Sequence, residues 1–389
     1  MKANCASSGG VERLWRLVAL WLTLCLLPAC GEAPEPIKIG YCGTLTGRGA
    51  DAGVVGRDAV ILAVEQINAR GGVAGRRLEL LARNDGGDEE TARVMDQELL
   101  DAGVAAVIGH MTSDMTVPAV ATFNQRRVPL ISPTVSLNAL VGKDDYLWRM
   151  RPANAQLAKI LAAYARDVLG LKRLVAIVDL ANAAYTRDWM ESFYREFTKG
   201  GGQMVERIEI EGALGGYAMA AARKALAAKP DGLTMAANAL DAAFICQQVR
   251  KMGFKGPIML AGWALSPALA QQGGASVEGV ITSELACLPE AQPRLKRFEA
   301  DFHGRFGYQP SLTGVHSHNA VQFLALGLEA SLSRKLSLKQ GLQSVGLING
   351  LLGPITMDRY GDPTAALQLQ VVRDGQLAPL VPAPPAGRD

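Results

Sequence analysis

Apolar and polar residues alternate in blocks along the chain from Ile37 onward. Short apolar runs such as IKIGYC and VAAVIG are separated by longer stretches with helical spacing; Leu157, Ile160, Leu161 and Tyr164, for example, follow the i, i+3, i+4, i+7 order. Strands that alternate with helices predict βαβ units and parallel sheets. We therefore expect an α/β protein with two successive sheets, closed by a hairpin or an edge strand in ALQLQVVRDG.

The first residues predict an export signal. Basic residues precede an apolar stretch at 17–27 that is shorter than the ~20 residues of a membrane-spanning helix. The stretch closes in Leu-Pro-Ala-Cys, which resembles the bacterial lipobox, in which the cysteine becomes the lipid-modified first residue. We expect a lipoprotein signal peptide at 1–29 and a lipidated Cys30 in a tether at 30–36; an ordinary cleaved signal is the alternative.

Composition limits the remaining classes of function. The chain has 389 residues, of which 49% are hydrophobic, enough to bury the cores of two domains. Its formal net charge of +3 falls to +1 once the three basic residues and one acidic residue of 1–29 are removed, so we expect no nucleic-acid partner. Beyond Cys30, three cysteines remain, Cys42, Cys246 and Cys287, so at least one thiol is expected to be free.

Two loops with hydroxyl residues follow neighbouring predicted strands. In GHMTSDM, Thr112 or Ser113 is expected to cap a helix, whose free N–H groups and dipole favour an anion such as a carboxylate. In SPTVS, Thr134 and Ser136 follow the next strand and should lie at the same edge of the sheet, where ligands of open α/β sheets bind. A plain helix cap and a polar proline turn are the alternatives.

Other motifs argue against cofactors, metals and catalysis. The glycines of GTLTGRGADAG do not have the G-x-G-x-x-G spacing of a dinucleotide site. GHMTSDM lacks the G-x-S-x-G nucleophile elbow, and the four histidines suggest no base for Ser113. His316 and His318 are two residues apart, so they fall on different helix faces and are expected at the surface rather than on a metal. Cys42 could offer a thiol at a strand end, although buried cysteines are common.

Several motifs in order resemble the family of periplasmic Leu/Ile/Val-binding proteins, the type I solute-binding proteins of ABC importers. They are IGYCGTLTG, VEQINARGGVAGRRLEL, NDGGDEETA, VIGHMTS, VPLISPTVS and GPITMDRYGDP, and the resemblance extends over about residues 37 to 380. It implies an α/β fold of two Rossmann-like lobes with parallel sheets, joined by a three-stranded hinge. The N-terminal lobe would hold 37–151 and 286–352, and the C-terminal lobe 152–285 and 353–380.

The resemblance also implies a ligand site. Ser113, Thr134 and Ser136 fall where the family binds a ligand carboxylate, and the family's acidic residue for the ligand ammonium would fall at about Gly262, which has no side chain. This difference shifts the expected ligand from a standard branched-chain amino acid toward deaminated, aromatic or amide-like compounds. The expected ligand contacts are Met111, Thr112, Ser113, Thr134, Ser136, Tyr185, Asn238 and Trp263, the last of which could stack on a planar ligand or pack in the hinge.

We therefore expect an extracytoplasmic solute-binding protein in the periplasm, held to a membrane by its lipid. Its partners would be a small carboxylate ligand and the permease and ATPase subunits of an ABC transporter. We expect no enzyme activity and no cofactor. The alternative is a ligand-sensing receptor or regulator module with the same fold.

Overall fold

Two α/β lobes, each built on a mainly parallel sheet, make up the body of this computed structural model. The structure describes residues 34–47, 49–211 and 216–380. The predicted signal peptide and the predicted lipid site at Cys30 lie outside the described residues.

The first lobe begins with a five-stranded, wholly parallel sheet in the order β2-β1-β3-β4-β5. Its strands are β1 Ile37–Gly43, β2 Leu78–Asn84, β3 Val107–Gly109, β4 Leu130–Ser132 and β5 Leu147–Arg149. Three helices alternate with them: α1 Ala50–Ala69, α2 Glu89–Asp101 and α3 Ser113–Arg126. The short strands β3 to β5 are buried along their whole length, as expected for parallel strands covered on both faces.

The second lobe repeats this alternation. Its parallel strands are β6 Arg173–Asp179, β7 Gln203–Ile210, β8 Gly232–Ala236, β9 Ile258–Leu260 and β10 Ile281–Leu285. Its helices are α4 Asn154–Ala163, α5 Ala183–Thr198, α6 Gly216–Ala227, α7 Ala239–Lys251 and α8 Pro267–Gly273. Apolar side chains on the two faces of the sheet form two separate cores, one of them rich in aromatic residues from α5.

After β10 the chain returns to the first lobe through α9 Gln292–Phe306, α10 Leu312–Arg334 and α11 Leu338–Gln343. Helix α10 packs along α1 and α11. The three short strands β11 Leu347–Asn349, β12 Pro354–Met357 and β13 Pro363–Ala365 follow as an antiparallel sheet. The chain then enters the second lobe again, where β14 Leu367–Arg373 pairs antiparallel with β10 and forms a hairpin with β15 Gln376–Pro379.

The α/β prediction and the closing hairpin are confirmed. The chain passes between the lobes three times, after β5, after β10 and after β13. Residues 353–380, expected in the second lobe, divide between the two lobes, because Ile355 and Met357 lie in the apolar core of the first. Only the β14–β15 hairpin of that segment joins the second sheet, because its strand pairs there are with β10.

Candidate functional site

A cavity of about 670 Å³ lies between the two lobes and is lined by residues of both. The first lobe contributes the start of α1 and the loops that follow β3 and β4; the second contributes the start of α5 and the loops that follow β8 and β9. These are the carboxyl ends of parallel strands, where open α/β sheets bind ligands.

The first-lobe wall contains three of the predicted contacts, Met111, Ser113 and Thr134. Ser113 is the first residue of α3 and is 2% exposed. Thr134 follows β4, and its hydroxyl donates a hydrogen bond of 2.8 Å to the carbonyl of Met111. The hydroxyl of Thr134 therefore keeps its lone pairs for a donor, while the loops after β3 and β4 are held side by side.

Two other predicted contacts lie outside the cavity lining. Thr112 is the N-cap of α3, with extended backbone, and it is half-buried. Ser136 is fully buried, and its hydroxyl donates to the carbonyl of Thr134 at 3.4 Å. Ser136 thus supports the loop that carries Thr134 in this structure.

The N-termini of α3 and α5, at which Ser113 and Asn182 line the cavity, cap each other, an arrangement that we call the reciprocal cap. Asp114 of the first lobe accepts hydrogen bonds from the backbone N–H of Ala183 at 2.9 Å and of Ala184 at 2.8 Å. Asn182 of the second lobe accepts from the backbone N–H of Ser113 at 3.1 Å and of Asp114 at 3.4 Å. The amide group expected to receive a ligand carboxylate at Ser113 is therefore bonded to Asn182 here, which leaves the hydroxyl as the polar group of Ser113 that is available to a ligand in the cavity.

The second-lobe wall contains the remaining predicted contacts, Tyr185, Asn238 and Trp263. Tyr185 lies in the first turn of α5, and Trp263 follows β9. Their rings meet edge to face, with centroids 6.4 Å apart and planes at 80°. Asn238 caps α7 by accepting from the N–H of Asp241 at 3.0 Å, so its side chain is already used by the fold.

Sequence reasoning missed a buried ion pair in the cavity lining. Arg151, at the first crossing between the lobes, donates from Nη2 to Oε2 of Glu284 in β10. Arg151 is 5% exposed and Glu284 1% exposed. A Cβ at Gly262 would lie 2.5 Å from Arg151 Nη2 and 2.9 Å from Glu284 Oε2, so the glycine leaves the space that the pair occupies. An arginine after one strand and a glutamate within another do not form a sequence motif. The charged residue in the buried strand ITSEL was the signal from which a buried ion pair could have been expected.

The prediction that His316 and His318 lie at the surface is wrong. Both are buried, at 1% and 7% exposure, because α10 is covered by other helices on more than one face. Burial, with a smaller contribution from a nearby arginine in each case, lowers the pKa of His316 to about 3 and that of His318 to about 4. His316 is thus a neutral imidazole in the cavity lining at physiological pH.

A second buried polar cluster lies beneath the first-lobe wall. His110 Nδ1 is 2.8 Å from Asp85 Oδ2, and Nε2 is 3.1 Å from Asp96 Oδ1, with Cys42 beside them. Cysteine, histidine and aspartate are metal-ligand types, but both ring nitrogens already face a carboxylate, and all four residues are at most 2% exposed. Burial opposes charge on His110, yet Cys42, Asp85 and Asp96 together raise its pKa well above the usual value. The arrangement is that of an internal ion-pair network.

The thiol of Cys42 is part of this network and is fully buried, away from the cavity. Burial raises the pKa of Cys42, and this effect exceeds the opposite one of the neighbouring His110. Cys246 is also buried, Cys287 is half-buried, and all three are free, which confirms the expectation of at least one unpaired cysteine.

No helix among the described residues is both long enough and apolar enough to cross a membrane.

The chain is similar to a known protein family and to several known proteins. A family model described as periplasmic binding protein matches residues 36–376. The leucine-, isoleucine-, valine-, threonine- and alanine-binding protein of Pseudomonas aeruginosa is 33% identical over 127 residues, which are 33% of this chain and 34% of that protein. That alignment therefore spans about a third of the relative's length.

Two solved structures share the fold over most of the chain. A leucine-binding protein from Thermotoga maritima is 22% identical, covers 89% of this chain and 98% of its own, and superposes with a TM-score of 0.79. A solute-binding protein of an ABC transporter from R. palustris, in complex with benzoate, is 19% identical, covers 89% of this chain and 95% of its own, and also gives a TM-score of 0.79.

Proposed function

Because the chain belongs to the periplasmic binding protein family, we propose that it is the extracytoplasmic solute-binding protein of an ABC importer. It binds a small carboxylate-bearing solute between its two lobes and delivers that solute to the permease and ATPase subunits. The observation that carries the proposal is the cavity of about 670 Å³ at the carboxyl ends of both sheets, with polar groups in an otherwise apolar wall.

The protein acts by binding and performs no reaction. Ser113 is the candidate nucleophile considered from the sequence, and it lines the cavity together with Thr134. His110 follows the same strand but bonds to Asp85 and Asp96 beneath the wall, so it is engaged away from the serine hydroxyl. Ser113 is therefore a donor to the ligand, and bound solute should be recovered chemically unchanged.

The export signal and the lipid on Cys30 belong to the same proposal. A lipid on Cys30, followed by the short tether, holds the binding body at a membrane surface where it meets the permease. Labelling of cells with a radioactive fatty acid tests this point: incorporation that is lost in Cys30→Ala supports the anchor, and equal incorporation in both proteins contradicts it.

Binding is tested by calorimetric titration of the purified protein with branched and aromatic carboxylic acids. The variant Ser113→Ala is expected to weaken binding by about 1–3 kcal/mol, as when a buried acceptor loses its donor. The matched control is Ser333→Ala, which removes an exposed hydroxyl at the far end of α10 and should leave the dissociation constant unchanged. If no carboxylic acid of the panel binds, the proposed ligand class is wrong.

A further inference from the structure

The cavity contains a polar end that the proposed function does not assign. Among its buried lining residues are three from different parts of the fold: Arg151 at the first crossing, Tyr185 in α5 and His316 in α10. Glu284 of β10 joins them as the ion-pair partner of Arg151. We call these four residues the arginine end of the cavity.

The ion pair leaves hydrogen-bond donors, rather than acceptors, available at this end. Glu284 uses Oε2 for Arg151 and Oε1 for the backbone N–H of Leu285 at 3.0 Å. A guanidinium carries five N–H donors in a fixed fork, and within the described residues Arg151 Nε has no partner. The carboxylate is therefore engaged at both oxygens, while the guanidinium keeps at least its Nε–H donor without a partner.

Tyr185 and His316, which lie beside the ion pair, also have buried polar atoms that lack hydrogen bonds. Neither ring nitrogen of His316 has a hydrogen-bond partner in the part of the chain that the structure describes, and Tyr185 Oη, although it lies beside Arg151, makes no hydrogen bond of good geometry there. His316 is neutral, because burial lowers its pKa to about 3, so one ring nitrogen carries a hydrogen. Buried polar groups without partners are costly, and three of them beside one cavity point to a bound group that satisfies them.

We propose that the arginine end is the subsite for an acceptor oxygen of the ligand, and that Arg151 selects organic acids that carry no ammonium group. A carboxylate oxygen, or a carbonyl oxygen next to it, would accept hydrogen bonds from the guanidinium fork of Arg151 and from Tyr185 or His316. An ammonium group at the same place would meet the like charge of Arg151, and the Glu284 carboxylate that could offset this repulsion already accepts from Arg151 and from a backbone N–H. Glu284 is a positioning residue, which holds the guanidinium in the space left open by Gly262.

This inference rests on the proposed function, and a titration with matched pairs separates the two. The full-length protein is titrated with phenylpyruvate and phenylalanine, and with leucine and the oxo acid of leucine. The expected result is that each oxo acid binds at least about tenfold more tightly than its amino acid. If the amino acids bind as tightly or more tightly, the inference fails while the proposed function stands; if neither class binds, both fail.

Variants of Arg151 test which residue makes the selection. Arg151→Lys keeps the charge beside Glu284 but loses the planar fork, so affinity for the oxo acids should fall about tenfold or more, and affinity for the amino acids much less. The matched control is Arg149→Lys, two residues away. Arg149 is likewise buried and donates to Asp362 and to the carbonyl of Leu137, but it belongs to the first-lobe packing outside the cavity lining.

Gly262→Ala gives a second route in case Arg151→Lys does not fold. The added methyl group displaces the ends of two flexible side chains and leaves both charges in place, so it should lower the preference for oxo acids without removing a group. The proposal is overturned if Arg151→Lys and Gly262→Ala both keep the wild-type ratio of oxo-acid to amino-acid affinity. It is also overturned if Arg149→Lys lowers that ratio as much as Arg151→Lys.

Discussion

Asp114→Ala removes one half of the reciprocal cap and is expected to weaken ligand binding by about 30-fold. Asp114 belongs to the first lobe, whereas the two backbone N–H groups that it accepts from, those of Ala183 and Ala184, begin a helix of the second. When the lobes separate to admit ligand, water can bind both the carboxylate and the two N–H groups. The substitution therefore destabilises only the form in which the lobes meet.

The magnitude follows from the two contacts. Replacing a helix N-cap by alanine costs about 0.5–2 kcal/mol, and a hydrogen bond to a charged group contributes about 1.5–3 kcal/mol. Asp114 is half-buried, so we place the pair of bonds at the lower part of that sum, about 2 kcal/mol. The loss adds to the free energy of closing the lobes and appears in the apparent dissociation constant, at about tenfold for each 1.4 kcal/mol.

Calorimetric titration gives the dissociation constant, and small-angle scattering of the liganded protein shows whether the variant closes less completely. The matched control is Asp88→Ala. Asp88 is exposed and caps its own helix α2 by accepting from the N–H of Thr91 at 2.9 Å, so its loss should lower the unfolding free energy without weakening binding. The reasoning is refuted if Asp114→Ala binds within about twofold of the wild type, or if Asp88→Ala loses as much affinity.

Three further predictions concern stability and reactivity. Because the folded pKa of His110 is raised, its stabilising contribution is full below about pH 6.5, the pKa of an unfolded histidine, and is lost as the pH rises from there through the folded pKa. Urea unfolding at increasing pH above about 6.5 should show this decline, and His110→Gln should not. Gly53→Ala would place a methyl group 1.8 Å from the carbonyl oxygen of Thr44 and should destabilise the fold by about 1–3 kcal/mol in urea unfolding, whereas Gly304→Ala meets no atom within 4 Å among the described residues and should not destabilise. A thiol reagent should label Cys287 in the native protein and reach the buried cysteines only in denaturant; labelling of all three at equal rates would contradict the burial.

The pattern of apolar and polar residues was sufficient to predict the fold, because strands buried on both faces and amphipathic helices differ in period and length. It also predicted that Ser113 and Thr134 lie close together, because both follow neighbouring parallel strands of one sheet, and both residues line the cavity. It failed for His316 and His318, because helical period shows which residues share a face and not how many faces are covered. Of the helices that cover α10, α1 comes from a distant part of the chain, and α11 folds back onto it after a short turn.

The arginine end could not be predicted, for a related reason. Arg151 and Glu284 are 133 residues apart and meet only in the folded chain, where Arg151 follows β5 and Glu284 lies in β10. The sequence showed that Gly262 lacks a carboxylate, but not that the empty space is filled by a guanidinium from elsewhere. The reciprocal cap could not be predicted either. It joins the N-termini of two helices that are distant in sequence, and the residues of neither N-terminus indicate that the cap comes from the other helix.

Trp263, which contacts Tyr185 edge to face, allows the intrinsic fluorescence of the protein to report on ligand in the cavity. Three tryptophans lie in the described part of the chain; Trp148 and Trp189 are buried at 2% and 1% exposure, while Trp263 is half-buried and lines the ligand space. A solute that excludes water from the indole of Trp263 should shift its emission without disturbing the other two. Unlabelled protein can therefore be screened against solutes by fluorescence, and Trp263→Phe provides the silent reference.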